Sequence, residues 1–160
     1  MKYMYLMPLF AILVAVLYSS CTAKKHLPTE YKKKQLIFGT GGGFTGAVTT
    51  YVLQENGQLF QTVSDTSYKE VSVLSKDSTK TYFAQMDTIP ISDSLEFTHP
   101  GNMYYFLEKK EGYADEKSNR ITWGDGKHEP PAGIKELHTS LIQIVRDLNN
   151  PRQNNNTESK

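Results

Sequence analysis

The stretch Ala47–Val63, AVTTYVLQENGQLFQTV, decides how the chain is read. Its first arm, Ala47–Gln54, is β-branched and aromatic, which suits a pleated and half-buried surface. Glu55-Asn56-Gly57 follows as a turn, and an Asn-Gly pair is expected to hold positive φ at both central positions. Gln58–Val63 returns as the second arm. The domain therefore contains a β-hairpin, and the flanking segments are read outward from it.

Upstream, Gln35–Phe38 (QLIF) predicts a strand and Gly39–Gly46 a glycine-rich loop. Downstream, Tyr68–Leu74 alternates and predicts another strand. Ser75 or Asp77 can cap a short helix through Met86, with Tyr82, Phe83 and Met86 on its buried side. Asp87–Ser94 reads as loop, Leu95–Phe97 as a short strand, and His99-Pro100-Gly101-Asn102 as a turn. Met103–Lys109 and Asn119–Trp123 form a second hairpin, joined by the polar residues 110–118. After the loop 124–131 (GDGKHEPP), Pro131 suits the first turn of a helix. Ile134, Leu137, Leu141, Ile144, Val145 and Leu148 then recur at helical spacing as one apolar stripe. The sum is a small α+β domain. It has an antiparallel sheet of about five or six strands, a short middle helix, and an amphipathic C-terminal helix packed on the sheet.

The 160 residues are 38% hydrophobic and 22% charged, with a mean hydropathy of −0.50. That excludes a polytopic membrane protein and bounds the chain to one comfortable domain. A net charge of +1 supplies no footprint for nucleic acid. The charge is unevenly spread. Residues 35–148 carry 10 basic against 15 acidic side chains, whereas Lys24, Lys25, Lys32, Lys33 and Lys34 outnumber Glu30 in the segment before them.

At the N-terminus, Lys2 precedes an apolar run from Leu6 to Leu17. As helix that run reaches about 18 Å, short of a hydrocarbon core of about 30 Å. A charged start, a short apolar stretch and small residues make the pattern of an export signal. Ser19 and Ser20 lead directly to Cys21, the single cysteine. Leu17–Cys21 resembles the lipobox of bacterial lipoproteins, with Tyr18 where that family prefers an aliphatic residue. The resemblance implies that residues 1–20 are a lipoprotein signal peptide and that Cys21 becomes the acylated N-terminus. Thr22, in place of an acidic residue, implies the outer membrane, facing the periplasm. Residues 21–34 read as a basic tether. Its lysines either gain about 1 kcal/mol each from an anionic bilayer or simply keep the stalk solvated. Residues 35–148 form the single domain, and the low-complexity 149–160 is expected to be a disordered tail.

IFGTGGGFTGAVTTY, with ITWGD downstream, resembles a phrase recurring in small bacterial envelope lipoproteins. That implies a shared domain over about 35–148 and carries no activity with it. Within the phrase, Gly41, Gly43 and Gly46 match G-x-G-x-x-G. A dinucleotide site needs a helix after those glycines, and here a strand is expected. GGGFTGAV is also similar to the glycine-rich loop of protein kinases, but no HRD, DFG or V-A-I-K segment accompanies it. No nucleotide and no other cofactor is expected.

Candidate binding residues are therefore Gly41, Gly43 and Gly46 in one loop, and Trp123, Asp125 and His128 around the other. His26, His99, His128 and His138 show neither H-x-H nor H-x-x-x-H spacing, so no metal centre is expected from sequence, and no catalytic residue is assigned. Asp125, His128 and Glu129 share one loop and can meet a divalent ion. The leading expectation is a lipid-anchored, non-enzymatic envelope module that binds an envelope protein or a small ligand. The alternatives are a periplasmic enzyme, with its site among loop 39–46, His99 and loop 124–131, and a structural or inhibitory subunit of an envelope complex. Cys21→Ala is expected to abolish fatty-acid labelling and leave the precursor uncleaved. Normal maturation of that variant without label defeats the lipoprotein reading.

Overall fold

A computed structural model of the chain describes residues 26–89, 97–112 and 118–150. The expected signal peptide, Cys21 and the tail beyond Asn150 lie outside the described residues, as does Leu95. Among the described residues, seven strands form one sheet: β1 (Gln35–Gly42), β2 (Val48–Gln54), β3 (Gln58–Ser64), β4 (Ser67–Val73), β5 (Phe97–His99), β6 (Met103–Lys110) and β7 (Ser118–Trp123). The helices are α1 (Lys76–Thr88) and α2 (Ile134–Asn149). The spatial order is β4-β3-β2-β1-β6-β7-β5, antiparallel throughout except where β5 runs parallel to β7. The domain is α+β, as expected, with one strand more than expected and one parallel edge. No helix among the described residues is long and apolar enough to cross a membrane.

The β2–β3 hairpin forms with a different turn from the one expected. Only Gly57 has positive φ (92°), and its N–H donates to the Gln54 carbonyl at 2.9 Å. A three-residue loop that places glycine last, in the left-handed region, keeps the strand twist while Asn56 stays at negative φ. The Asn56 side chain accepts from the Gln58 N–H at 3.0 Å and closes the turn.

α1 leaves the β4 edge and leads to the β5 edge, so the chain crosses one face of the sheet. Ser75 caps α1, its hydroxyl accepting from the Ser78 N–H at 3.1 Å. α2 lies on the same face. Phe83, Met86 and Ile89 meet Ile134, Leu137, Leu141 and Val145, and beneath them lie Leu36, Phe38, Leu53, Leu59, Leu107, Ile121 and Trp123. Burying each large apolar side chain contributes about 1.5–3 kcal/mol. The apolar stripe of α2 holds at Ile134, Leu137, Leu141 and Val145; Ile144 is only half-buried, Leu148 is exposed, Ile142 packs on the core as well, and His138 takes a buried place on the stripe.

Two boundaries need correction. The tether expected over 21–34 is structured from His26 onward. Tyr31 is buried and its hydroxyl accepts from the Asn56 N–H, while the Gln35 side chain donates to the Pro28 and Tyr31 carbonyls. The Gln54 amide donates to the His26 carbonyl at 3.0 Å. Lys34 reaches Asp87 at the end of α1 and Glu111 after β6, so it is committed to the domain surface. The second correction concerns Gly39–Gly46. Its first four residues continue β1 to Gly42, paired with β2 on one side and β6 on the other. A Cβ on Gly39 would overlap the Thr49 carbonyl and crowd the Phe106 ring. Gly39→Ala is expected to cost about 1–3 kcal/mol, read as a lower urea midpoint at unchanged slope.

Candidate functional site

The parallel pairing of β5 with β7 sets His99 opposite Trp123 in the register. Just beyond it, the Asp125 N–H donates to the His99 carbonyl at 3.2 Å. The turn after His99 packs so closely on the loop after Trp123 that a Cβ on Gly101 would overlap the Gly124 carbonyl. A Cβ on Gly124 would in turn overlap the Met103 carbonyl. Glycine at both places lets two loops that are distant in sequence lie backbone against backbone.

The side chains that meet there are Asp125, His128 and His99. Asp125 Oδ1 accepts from the backbone N–H groups of Lys127 and His128, both at 3.0 Å, which fixes the carboxylate plane. Its Oδ2 lies 2.6 Å from His128 Nδ1. The His128 side chain first, and the backbone donors after it, push the Asp125 carboxyl down to about 2, so it is ionised throughout the neutral range. The His99 ring stacks on His128 with centroids 3.9 Å apart and planes 14° apart, and it meets Phe97 edge-on at 4.7 Å. One ligating atom from each of His99, Asp125 and His128 falls within 4.8 Å of the others.

His128 also lines an open pocket of about 420 Å³ between the end of the sheet and the first half of α2. Tyr105, Trp123 and His138 form one side of it, Gly124, Gly126 and Glu129 another, and Lys135 and Thr139 the helix side. Tyr105 stacks on Trp123 at 5.8 Å, and the His138 ring stands nearly perpendicular to both. Lys135 is ion-paired with Glu129 across the rim. The buried His138 donates from Nε2 to the Gly39 carbonyl at 2.9 Å, which fixes its tautomer. Burial lowers its pKa from the usual 6.5, only partly opposed by that hydrogen bond.

Of the sequence candidates, Asp125 and His128 are brought together, and His99, named with the enzyme alternative, joins them. Trp123 is a buried part of the pocket wall. Glu129 pairs with Lys135 and stands outside the Asp125 cluster. Gly41 lies in β1 beneath the Tyr104 ring, and the Gly43 N–H donates to the Asn102 carbonyl at 2.7 Å. Gly46 has open space around it. None of the three glycines is among the pocket residues. The glycine loop and loop 124–131 reach the same end of the sheet, yet the 101–103 turn stands between them. The residues after the glycines are strand β2, which leaves no helix N-terminus to hold a pyrophosphate. The histidine spacing in the sequence does not reveal this cluster, because His99 comes from strand β5 and reaches the 124–131 loop only through the fold.

Comparison with protein-family models and with curated proteins found no match for this chain.

His138 supplies a pH signature. Its folded pKa lies below the unfolded 6.5, so the unfolded chain binds the extra proton first. Stability contributed here is complete above the unfolded pKa and declines as pH falls below it. Between about pH 7.5 and about pH 5, the Tm of the wild type should fall more than that of His138→Gln. Parallel curves would assign the pH dependence to other groups.

Proposed function

We propose that this chain is a lipid-anchored, extracytoplasmic enzyme of hydrolytic type, working at the pocket beside Asp125 and His128. The observation that carries the reading is the 2.6 Å contact between Asp125 and His128 at the pocket wall. A carboxylate held by two backbone donors orients the imidazole with Nδ1–H toward it. That leaves Nε2 with a free lone pair, able to take a proton from an attacking water and return it to the leaving group. The aromatic side, Tyr105 and Trp123, offers a surface for an apolar or ring portion of a substrate, and the Lys135–Glu129 pair offers charged groups at the rim. The export pattern ending on Cys21 supports attachment to the envelope, facing the periplasm.

A non-enzymatic interaction module is the second reading, and exposed apolar side chains favour it. Phe44 is fully exposed at the tip between β1 and β2, and Val48 and Met103 are exposed at the same end of the sheet.

A panel of chromogenic esters, phosphoesters, glycosides and peptides separates the two. Under the enzymatic reading at least one is turned over. Asp125→Asn and His128→Gln should each lower kcat/KM by about 10²–10⁴-fold while leaving the fold intact. No turnover on any substrate, or turnover indifferent to both substitutions, favours the interaction module.

A further inference from the structure

We infer that His99, Asp125 and His128 together bind a divalent transition-metal ion, Zn²⁺ by the chemistry of the donors, at the side of the pocket. The inference rests on the site of the proposed function and changes how it would work: with the ion bound, Asp125 and His128 would be ligands, and activation of the attacking water would pass from the His128 imidazole to the ion. Two imidazoles and a carboxylate suit zinc or another first-row divalent ion, whereas calcium and magnesium prefer an all-oxygen shell. Three protein ligands with a position left open is the pattern of catalytic zinc sites; structural sites are closed by four.

Three observations favour metal binding over a bare acid–imidazole pair. First, the carboxylate already has the outer partners of a good ligand. Oδ1 is held by the Lys127 and His128 backbone donors, which leaves Oδ2 as the ligating atom. Such outer hydrogen bonds orient a ligand before the ion arrives. Second, His99 is brought to the carboxylate by backbone structure: the β5–β7 register, the Asp125 N–H to His99 carbonyl bond, and the Gly101–Gly124 contact. A hydrogen-bonded pair alone needs no second histidine, and a three-ligand set does. Third, the ligating atoms lie within 4.8 Å of one another. A tetrahedral zinc shell with bonds of about 2.0–2.1 Å sets donors about 3.3 Å apart. That closure is within reach of side-chain rotation, because the His128 side chain is half exposed. The ion would displace the Asp125–His128 hydrogen bond, and its open position would lie next to the cavity that His128 lines.

The test uses the full chain purified in detergent and stripped with a chelator. It is titrated with ZnCl₂ by calorimetry and with CoCl₂ by visible absorption. The expected result is uptake of one equivalent, with the d–d bands of a nitrogen- and oxygen-ligated site, and no competition from MgCl₂ or CaCl₂. His99→Ala, Asp125→Asn and His128→Ala should each weaken binding by more than the roughly 10–100-fold that loss of an outer partner costs. His26→Ala, remote from the cluster, should leave it unchanged. Metal-free melts of each variant show that the fold persists, and the isosteric Asp125→Asn is the deciding variant if an alanine substitution prevents folding. Absence of stoichiometric uptake overturns the inference. So does uptake untouched by all three substitutions, or uptake lost equally in His26→Ala. The metal and the enzymatic readings fail separately. Zinc uptake without turnover of any substrate keeps the metal centre and removes the hydrolase. Turnover by the chelated protein without zinc uptake keeps the hydrolase and removes the metal.

Discussion

Strand β1 is hydrogen-bonded along its length to β2 on one side and to β6 on the other, and the rest of the domain is arranged around that double pairing. Its near half supplies Leu36 and Phe38 to the core under the helices. Three of the four residues of its far half, Gly39, Gly41 and Gly42, are glycine because the neighbours come too close for side chains. The Thr49 carbonyl and the Phe106 ring occupy the space at Gly39, and the Tyr104 ring occupies it at Gly41. The same Gly39 offers its carbonyl to His138, so the central strand and α2 share a buried hydrogen bond. That bond stands His138 against Tyr105 and Trp123 and thereby shapes one side of the pocket. A buried polar group without such a partner would cost about 1–3 kcal/mol.

Local patterns were the legible part of the fold. The alternation of AVTTYVLQ, the Asn-Gly turn and the Ser75 cap each act within a few residues, and each appears where the pattern places it. The α2 stripe is equally local, but periodicity counts only apolar residues and so passed over His138. What stayed hidden depends on distant backbone. A short strand is expected at Leu95–Phe97, but its place at Phe97–His99, running into the turn expected from His99, and its parallel pairing with β7 are not legible, because three residues carry no register of their own. The docking of Tyr31 rests on an N–H from the β2–β3 turn, and no property of the lysine-rich segment announces it. Residues 39–42 (GTGG) look like a loop by composition, and only the close neighbours reveal why a strand needs Gly39, Gly41 and Gly42.

The site divides in the same way. Asp125 and His128 are three residues apart, and a single Asx-type turn is enough to bring them together, so the loop GDGKHEPP could be singled out from sequence. His99 comes from another element and reaches them through strand register. Lys135 was one more cation on the polar face of a helix until the fold set it against Glu129. Glycine motifs drew attention to a loop that stands apart from the Asp125 cluster, for a physical reason: close backbone packing and phosphate cradling require the same residue, and only context separates them.

The docked segment before β1 also sets the attitude of the molecule. His26 and Tyr31 lie against the β2–β3 turn, at the end of the sheet where β1 begins. The pocket and the His99 cluster lie at the other end, where β1 finishes, roughly 25 Å away along an eight-residue strand. Four residues separate Cys21 from His26, and the five steps between them span at most about 18 Å when extended. If Cys21 is the lipid anchor proposed above, that short leash would hold the base of the sheet near the bilayer and turn the pocket away from it. The pocket would then meet what diffuses through the compartment, and lipid headgroups would stay beyond its reach.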